Sequence, residues 1–251
     1  KSMKVIVNGA AGKMGGEVCR LAAEGKSGAS LFAMADRAGG PEIQTSLADC
    51  PSGADVIIDF SHHDATDALT AYAVAQGIPL VVATTGHTEP QIDLIRKAAE
   101  TIPVFFSANM SLGVALLVDL AKRAARVFPD ADIEIIEKHH NRKLDAPSGT
   151  ALMIAKGLAE VREQTSFVYG RCGQQKRQPG EIGIHAVRAG NIVGEHEVLI
   201  ATDSQILTLT HQALSRSLFA EGALSAAAFL IRQKPGLYTM AELAGEDAKE
   251  A

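Results

Sequence analysis

The chain has 251 residues, of which 47% are hydrophobic and 21% charged, enough to bury a substantial core in one or two domains. Aromatic residues make up only 4% and tryptophan is absent, which argues against a stacking platform for single-stranded nucleic acid. The formal charge of −5 lacks the basic excess of a general phosphate-backbone binder, so no nucleic-acid partner is expected.

In chain order, Lys1 to Lys4 run straight into Val5-Ile6-Val7 without the apolar stretch of a secretory signal. The hydrophobic segment from Gly113 to Leu120 is interrupted by Asp119 and is too short to cross a bilayer. Cys19, Cys50 and Cys172 are an odd number of cysteines at wide spacing, with no Cys-x-x-Cys pair. These features lead to the expectation of a cytoplasmic protein with no membrane partner.

The first hundred or so residues alternate short apolar runs with helical patterns. The runs are Lys4 to Asn8, Ser30 to Ala35, Asp55 to Phe60, Pro79 to Thr84 and Pro103 to Ser107, each nearly continuous in apolar character, as in strands covered on both faces. Between them, Gly15 to Glu24, Asp64 to Gln76 and Glu89 to Glu100 have helical length and composition. This alternation predicts βαβ units in a Rossmann-type, doubly wound parallel sheet. After Asn109 the pattern changes: a helix from Gly113 to Phe128 with Ser111 as N-cap, a strand from Asp132 to His139, a polar loop, and a helix from Thr150 to Glu163. Gln164 to Pro179 reads as an exposed loop. Ile182 to Arg188, Glu195 to Ala201 and Gln205 to His211 read as strands in antiparallel hairpins, joined by Ala189-Gly190-Asn191 and Thr202-Asp203-Ser204. Ser217 to Arg232 is helical, and Leu237 to Leu243 reads as a short tail. The expected fold class is therefore α/β, with a second α+β domain containing a mixed or antiparallel sheet.

Gly9-Ala10-Ala11-Gly12-Lys13-Met14-Gly15 follows the first strand and opens the first helix. Glycines there permit a tight turn and close backbone approach to a pyrophosphate, whose charge sits at the helix N-terminus. Asp36, at the end of the second strand, can accept from the ribose hydroxyls of an adenine dinucleotide, and Arg37 can meet a 2′-phosphate, so both NADH and NADPH remain open.

A second constellation runs from His139-His140-Asn141-Arg142-Lys143 to Asp145-Ala146-Pro147-Ser148-Gly149-Thr150, between a strand end and a helix start. The free N–H groups at that helix start can bind a carboxylate or phosphate, Lys143 adds a point charge, and an imidazole can donate a proton near neutral pH. Adjacent strand residues point to opposite faces, so His139 and His140 do not readily share a metal, and none is expected. Ala83-Thr84-Thr85-Gly86, Ser107-Ala108-Asn109-Met110-Ser111 and Asp59-Phe60-Ser61-His62-His63 also follow strand ends, where ligands of open α/β sheets lie, although each also suits a simple capped helix start. His62 and His63 read as exposed loop histidines without a visible partner.

On these ordered blocks, above all Glu134 to Thr150, the chain resembles the dihydrodipicolinate reductase family, enzymes of the diaminopimelate and lysine pathway now described as acting on 4-hydroxy-tetrahydrodipicolinate. The resemblance runs from Lys4 to about Gly245. It implies NADPH- or NADH-dependent reduction of a cyclic dicarboxylate. It also implies His139 as proton donor or acceptor, Lys143 as second proton-donor candidate and carboxylate ligand, His140 as a substrate contact, and Gly149 and Thr150 as carboxylate holders. Gly9, Ala10, Ala11, Gly12, Lys13, Met14, Asp36, Arg37, Ala83, Thr84, Thr85, Ser107, Ala108, Asn109 and Met110 fall in its cofactor-binding segments. The implied domains are 1–110 with 216–251 for the dinucleotide, and 111–215 for substrate, catalysis and assembly into a homotetramer. Ala83 departs from the glycine many members have there. The competing readings are an NAD(P)H-binding sensor without turnover, and another two-domain dehydrogenase, such as one acting on a semialdehyde, which would need a nucleophilic cysteine.

Overall fold

Val5, Ile6 and Val7 are fully buried in β1 (Met3–Asn8) because helices cover both faces of the sheet to which that strand belongs, the environment that continuous apolar runs demand. The computed structural model describes residues 2–246; Lys1 and residues 247–251, which the expected domain bounds include, lie outside them. The chain divides into two units, Lys1–Leu112 with Ser217–Ala251, and Gly113–Arg216.

In the first unit the chain continues through α1 (Lys13–Ala23), β2 (Ala29–Ala35), the short β3 (Ile43–Gln44), β4 (Val56–Asp59), α2 (Thr66–Gln76), β5 (Leu80–Val82), α3 (Glu89–Ala99) and β6 (Pro103–Phe106). Local chemistry sets the helix ends. Gly77 closes α2 in the left-handed conformation at φ 63°, and the Gln91 side chain accepts from Thr88 N–H at 2.8 Å at the start of α3. The second unit holds α4 (Leu112–Val127), which starts at its boundary, then β7 (Asp132–His139), α5 (Gly149–Ala159), β8 (Ser166–Tyr169), β9 (Glu181–Arg188), β10 (Gly194–Ala201) and β11 (Ile206–Ala213). The chain then returns to the first unit as α6 (Ser217–Leu230), β12 (Gly236–Tyr238) and α7 (Met240–Glu246).

All strands of the first sheet are parallel, in the order β12-β6-β5-β4-β1-β2-β3. The chain leaves β1 toward β2 on one side and later returns to β4 on the other, so the strand order reverses between β1 and β4. In such sheets ligands bind at that crevice. Helix α6 packs on α1 and along β4, β5 and β6. It approaches so closely that a Cβ on Gly222 would lie 1.7 Å from Met110 O.

The second sheet is mixed, in the order β11-β10-β7-β9-β8. Alternation along β7 sends Ile133 and Ile135 into a core with Leu117, Ala121, Ile154 and Leu158 of α4 and α5, while Glu134, Ile136 and Lys138 face the other way. Here the structure corrects the expected hairpin of β9 with β10. Each pairs with β7, β9 parallel and β10 antiparallel, and their connection hydrogen-bonds across the end of β7, with Ala189 N–H donating to His139 O at 2.9 Å. Isoleucines 133 and 135 need cover from both sides, which outweighs the turn chemistry of Ala189-Gly190-Asn191. The β10–β11 hairpin is present.

Three further expectations change. The segment from Gln164 to Pro179 contains β8 and is tied to the sheet by Arg171 and Arg177, whose guanidiniums reach Glu134 Oε1 at 2.9 and 3.1 Å. The second-unit helix ends at Ala159 rather than Glu163. The tail from Leu237 to Leu243 is part of β12, added parallel to β6, and of α7. Among the described residues, no helix is long and apolar enough to cross a membrane.

Candidate active site

At the carboxyl ends of β1, β2 and β4, two adjoining cavities of about 690 and 620 Å³ share Gly12, Phe60, Ser61 and His62. The glycine loop explains their shape. Gly9 has φ +82°, and a Cβ there would meet Phe60 O at 2.5 Å; a Cβ on Gly15 would lie 2.0 Å from Gly9 O. The turn can therefore be made only by glycine, and it brings bare backbone to the cavity edge. No side chain caps the start of α1 and its first turn contains no acid, so its N-terminal N–H groups and positive dipole are available to a pyrophosphate.

Asp36 and Arg37 line the first cavity with Thr45, Ser46 and Tyr72. The Asp36 carboxylate accepts from Ala38 N–H at 2.9 Å and Ala11 N–H at 3.2 Å, which fixes its position beside the glycine loop. Lys13, Met14, Ala83, Thr84, Thr85, Ala108 and Met110 line the second cavity. This cradle fits a nicotinamide dinucleotide, NADH or NADPH. Ala10, Ser107 and Asn109 line neither cavity. Ala10 is buried, and Ser107 Oγ and Asn109 instead hold their loop, Ser107 Oγ donating to Asn109 O at 2.7 Å and Asn109 Oδ1 accepting from Ser111 N–H at 2.9 Å.

His62 and His63 are not free loop residues. Both line the second cavity, and both Nδ1 atoms face Asp64, at 3.2 and 3.3 Å. Beneath them lies Asp59, 1% exposed, which accepts from Asn8 Nδ2, Ser61 Oγ and Thr84 Oγ1 at 2.6 to 2.7 Å. Burial, partly offset by these hydrogen bonds, pushes its pKa above the ordinary carboxylate range. Thr45, Tyr72 and Phe219 were not legible as cavity residues, because they come from elements whose position only the packing determines.

The second unit brings the other constellation together. His139 ends β7 and is nearly buried, its side chain 12% exposed, with Nδ1 2.6 Å from Glu137 Oε2. Ser148 caps α5, its Oγ accepting from Ala151 N–H at 3.1 Å and lying 2.9 Å from His196 Nε2. The His196 ring meets that of His139 edge to face, with centroids 5.2 Å apart. Desolvation, with the neighbouring charge of His139, pushes the His196 pKa down to about 4, so it stays neutral near pH 7. His140 is lowered as well, by desolvation and then by Arg142, Arg216, His139 and Lys143, which makes it a neutral hydrogen-bonding group. Lys143 Nζ pairs with Asp145 Oδ1 at 2.8 Å, and Gly149 and Thr150 form the first turn of α5. A proton carrier, a cation and a helix N-terminus thus lie on neighbouring elements. The sequence reading missed Glu137 and Arg188 as site residues. Glu137 was within reach, since it lies two residues before His139 on the same strand face.

No thiol is placed as a nucleophile: Cys19 and Cys50 are buried, burial raising the Cys19 pKa to about 11, and Cys172 is exposed in the loop after β8. The reading as a cysteine-dependent dehydrogenase therefore loses its support.

Comparison with known proteins places a boundary between two family models near the start of α4. Family models described as dihydrodipicolinate reductase, N-terminus, and dihydrodipicolinate reductase, C-terminus, match residues 3–110 and 113–243. The chain is 48% identical over 246 residues to 4-hydroxy-tetrahydrodipicolinate reductase of Caldanaerobacter subterraneus subsp. tengcongensis, covering 96% of this chain and 98% of that one. It is 43% identical over 243 residues to the protein of the same name from Clostridium novyi, covering 94% and 96%. In fold it is similar to dipicolinate-bound dihydrodipicolinate reductase from Paenisporosarcina sp. TG-14, at TM-score 0.75 and 24% identity over 95% of this chain and 98% of that one. The chain belongs to the dihydrodipicolinate reductase family.

Proposed function

We propose that this chain reduces 4-hydroxy-tetrahydrodipicolinate to tetrahydrodipicolinate with NADH or NADPH, in diaminopimelate and lysine biosynthesis in the cytoplasm. The observation that carries the residue roles is His139, held by the buried Glu137 beside the start of α5, where an anionic ring substituent can be seated. A reduced nicotinamide, when bound, supplies hydride to the substrate ring. The first unit binds the dinucleotide, with the glycine loop at the pyrophosphate, Asp36 at the ribose, and Ala83 to Thr85 with Ala108 and Met110 around the second cavity.

In the second unit, Lys143 and the Gly149 and Thr150 N–H groups hold one carboxylate, which stops the ring rotating. To do so, Lys143 exchanges Asp145 for the substrate. His139 Nε2 delivers the proton that accompanies the hydride, the 4-hydroxyl leaves as water to balance the reduction, and His140, kept neutral by desolvation and by its basic neighbours, contacts the substrate. Assembly into a homotetramer through the second sheet is part of this reading. β11 is an eight-residue edge strand with Ile206 67% and Leu207 38% exposed, the type of edge that proteins cover.

The test is oxidation of NADH and NADPH followed by nicotinamide absorbance, with wild-type protein and His139→Gln. Substrate-dependent turnover by the wild type, falling about 10²- to 10⁴-fold in the variant, is the expected result. Cofactor binding without turnover would favour the sensor instead.

A further inference from the structure

We infer that Glu137, clamped by Arg188, is a positioning residue that fixes both the tautomer of His139 and its placement relative to the substrate-carboxylate seat at the start of α5. The inference deepens the proposed function and rests on its reading of His139 as the proton donor.

Glu137 is completely buried on the core-facing side of β7, between β9 and β10. All of its acceptor capacity is used. Oε2 accepts from His139 Nδ1 at 2.6 Å and Arg188 Nη1 at 2.7 Å; Oε1 accepts from Arg188 Nη2 at 2.7 Å and Ser148 N–H at 3.0 Å. Arg188 is fixed in turn, its two terminal nitrogens donating to Val187 O at 2.8 Å and Asp145 O at 2.6 Å. A bidentate guanidinium on a buried carboxylate is the geometry that keeps the carboxylate ionised. Desolvation raises the Glu137 pKa, but hydrogen bonds from Arg188, His139 and Ser148 outweigh it and leave the group below its ordinary range.

Two consequences follow from an ionised, saturated Glu137. An ionised carboxylate only accepts, so His139 must carry its resident proton on Nδ1, and Nε2 is the nitrogen that gains and loses the working proton. The second oxygen holds the backbone of Ser148, whose side chain caps α5 and whose successors Gly149 and Thr150 form the carboxylate seat. One carboxylate thus sets the spacing between proton donor and anion seat. A generic buried ion pair would not join those two groups.

The other charged or titratable groups around His139 are Arg188 from β9, His196 from β10, and His140 and Lys143 from the following loop. Replacement of Glu137 by glutamine removes the anion in contact with the ring and leaves these groups uncompensated. It also presents an amide N–H₂ where donors already converge.

The experiment has two arms. In wild-type protein, nitrogen-15 NMR of the His139 ring is expected to show the Nδ1–H tautomer when the ring is neutral; an Nε2–H tautomer overturns the inference and needs no variant. In Glu137→Gln, kcat is expected to fall about 10²-fold or more, with the kcat–pH limb that reports the acid moved to lower pH and the cofactor KM unchanged. Arg188→Lys, which keeps a cation but loses the fork, is expected to fall between wild type and Glu137→Gln. Wild-type kcat and pH profile in a folded Glu137→Gln protein overturn the inference while leaving the proton-donor reading intact if His139→Gln is slow. A His139→Gln enzyme at wild-type rate overturns that reading itself.

Discussion

Asn8 and Asp59 are register partners at the ends of adjacent parallel strands β1 and β4, and Asn8 Nδ2 donates to Asp59 Oδ1 at 2.7 Å across the point where the strand order reverses. Asp59 also gathers Ser61 and Thr84, so one buried carboxylate ties together the ends of β1, β4 and β5 beneath the dinucleotide cradle. Asp59→Ala strands three side-chain donors and is expected to cost about 3 kcal/mol in urea denaturation.

The same residue gives a pH prediction. Its folded pKa is raised, chiefly by burial, so the native chain binds this proton more tightly than the unfolded one. Its stability contribution is then fully present below the unfolded carboxylate pKa and lost as pH rises through the higher folded value. The stability of wild type relative to Asp59→Asn is expected to decline across that interval, measured by denaturation at a series of pH values. A flat difference would contradict it.

On the proposed placement of the ribose, Asp36 governs cofactor choice through charge. A carboxylate fixed by Ala11 and Ala38 N–H groups favours ribose hydroxyls and repels a 2′-phosphate, while Arg37 attracts one. Asp36→Ala should raise the KM for NADH by about tenfold or more, the loss of one hydrogen bond to a charged group, and lower that for NADPH, because a repulsion is removed while Arg37 remains. Steady-state kinetics with both cofactors would check this.

Gly222 lies against the loop that ends in the cavity residue Met110. A Cβ at 1.7 Å from Met110 O forces either α6 or that loop to move. Gly222→Ala is expected to destabilise the chain by about 2–3 kcal/mol in thermal or urea unfolding, and to weaken dinucleotide binding.

Ser148 serves both the cap of α5 and the contact with His196. Ser148→Ala removes the acceptor for Ala151 N–H and should cost about 1–2 kcal/mol of stability. If α5 seats the substrate carboxylate, the substrate KM rises while cofactor binding is unchanged, which titration and kinetics can separate.

The local periodicities were enough to place the parallel sheet, because strands covered on both faces must be continuously apolar and Val5-Ile6-Val7 or Leu80-Val81-Val82 have no other economical use. The glycine loop was legible for a similar reason: Gly9 and Gly15 stand where any Cβ would strike backbone. The His139 to Thr150 block carried its chemistry in its residue types. The partners of those residues were less visible. That β7 would separate β9 from β10, that Arg171 and Arg177 would tie down an apparently loose polar segment, and that Arg188, 51 residues away, would clamp Glu137 all depend on strand register. Register is decided by burying both sides of Ile133 and Ile135 together, a sum over distant segments that no local window contains. The sequence by itself therefore determined which residue types stand at the strand ends and helix starts, while tertiary structure decided which carboxylates are buried and which side chains meet His139, because those contacts depend on register.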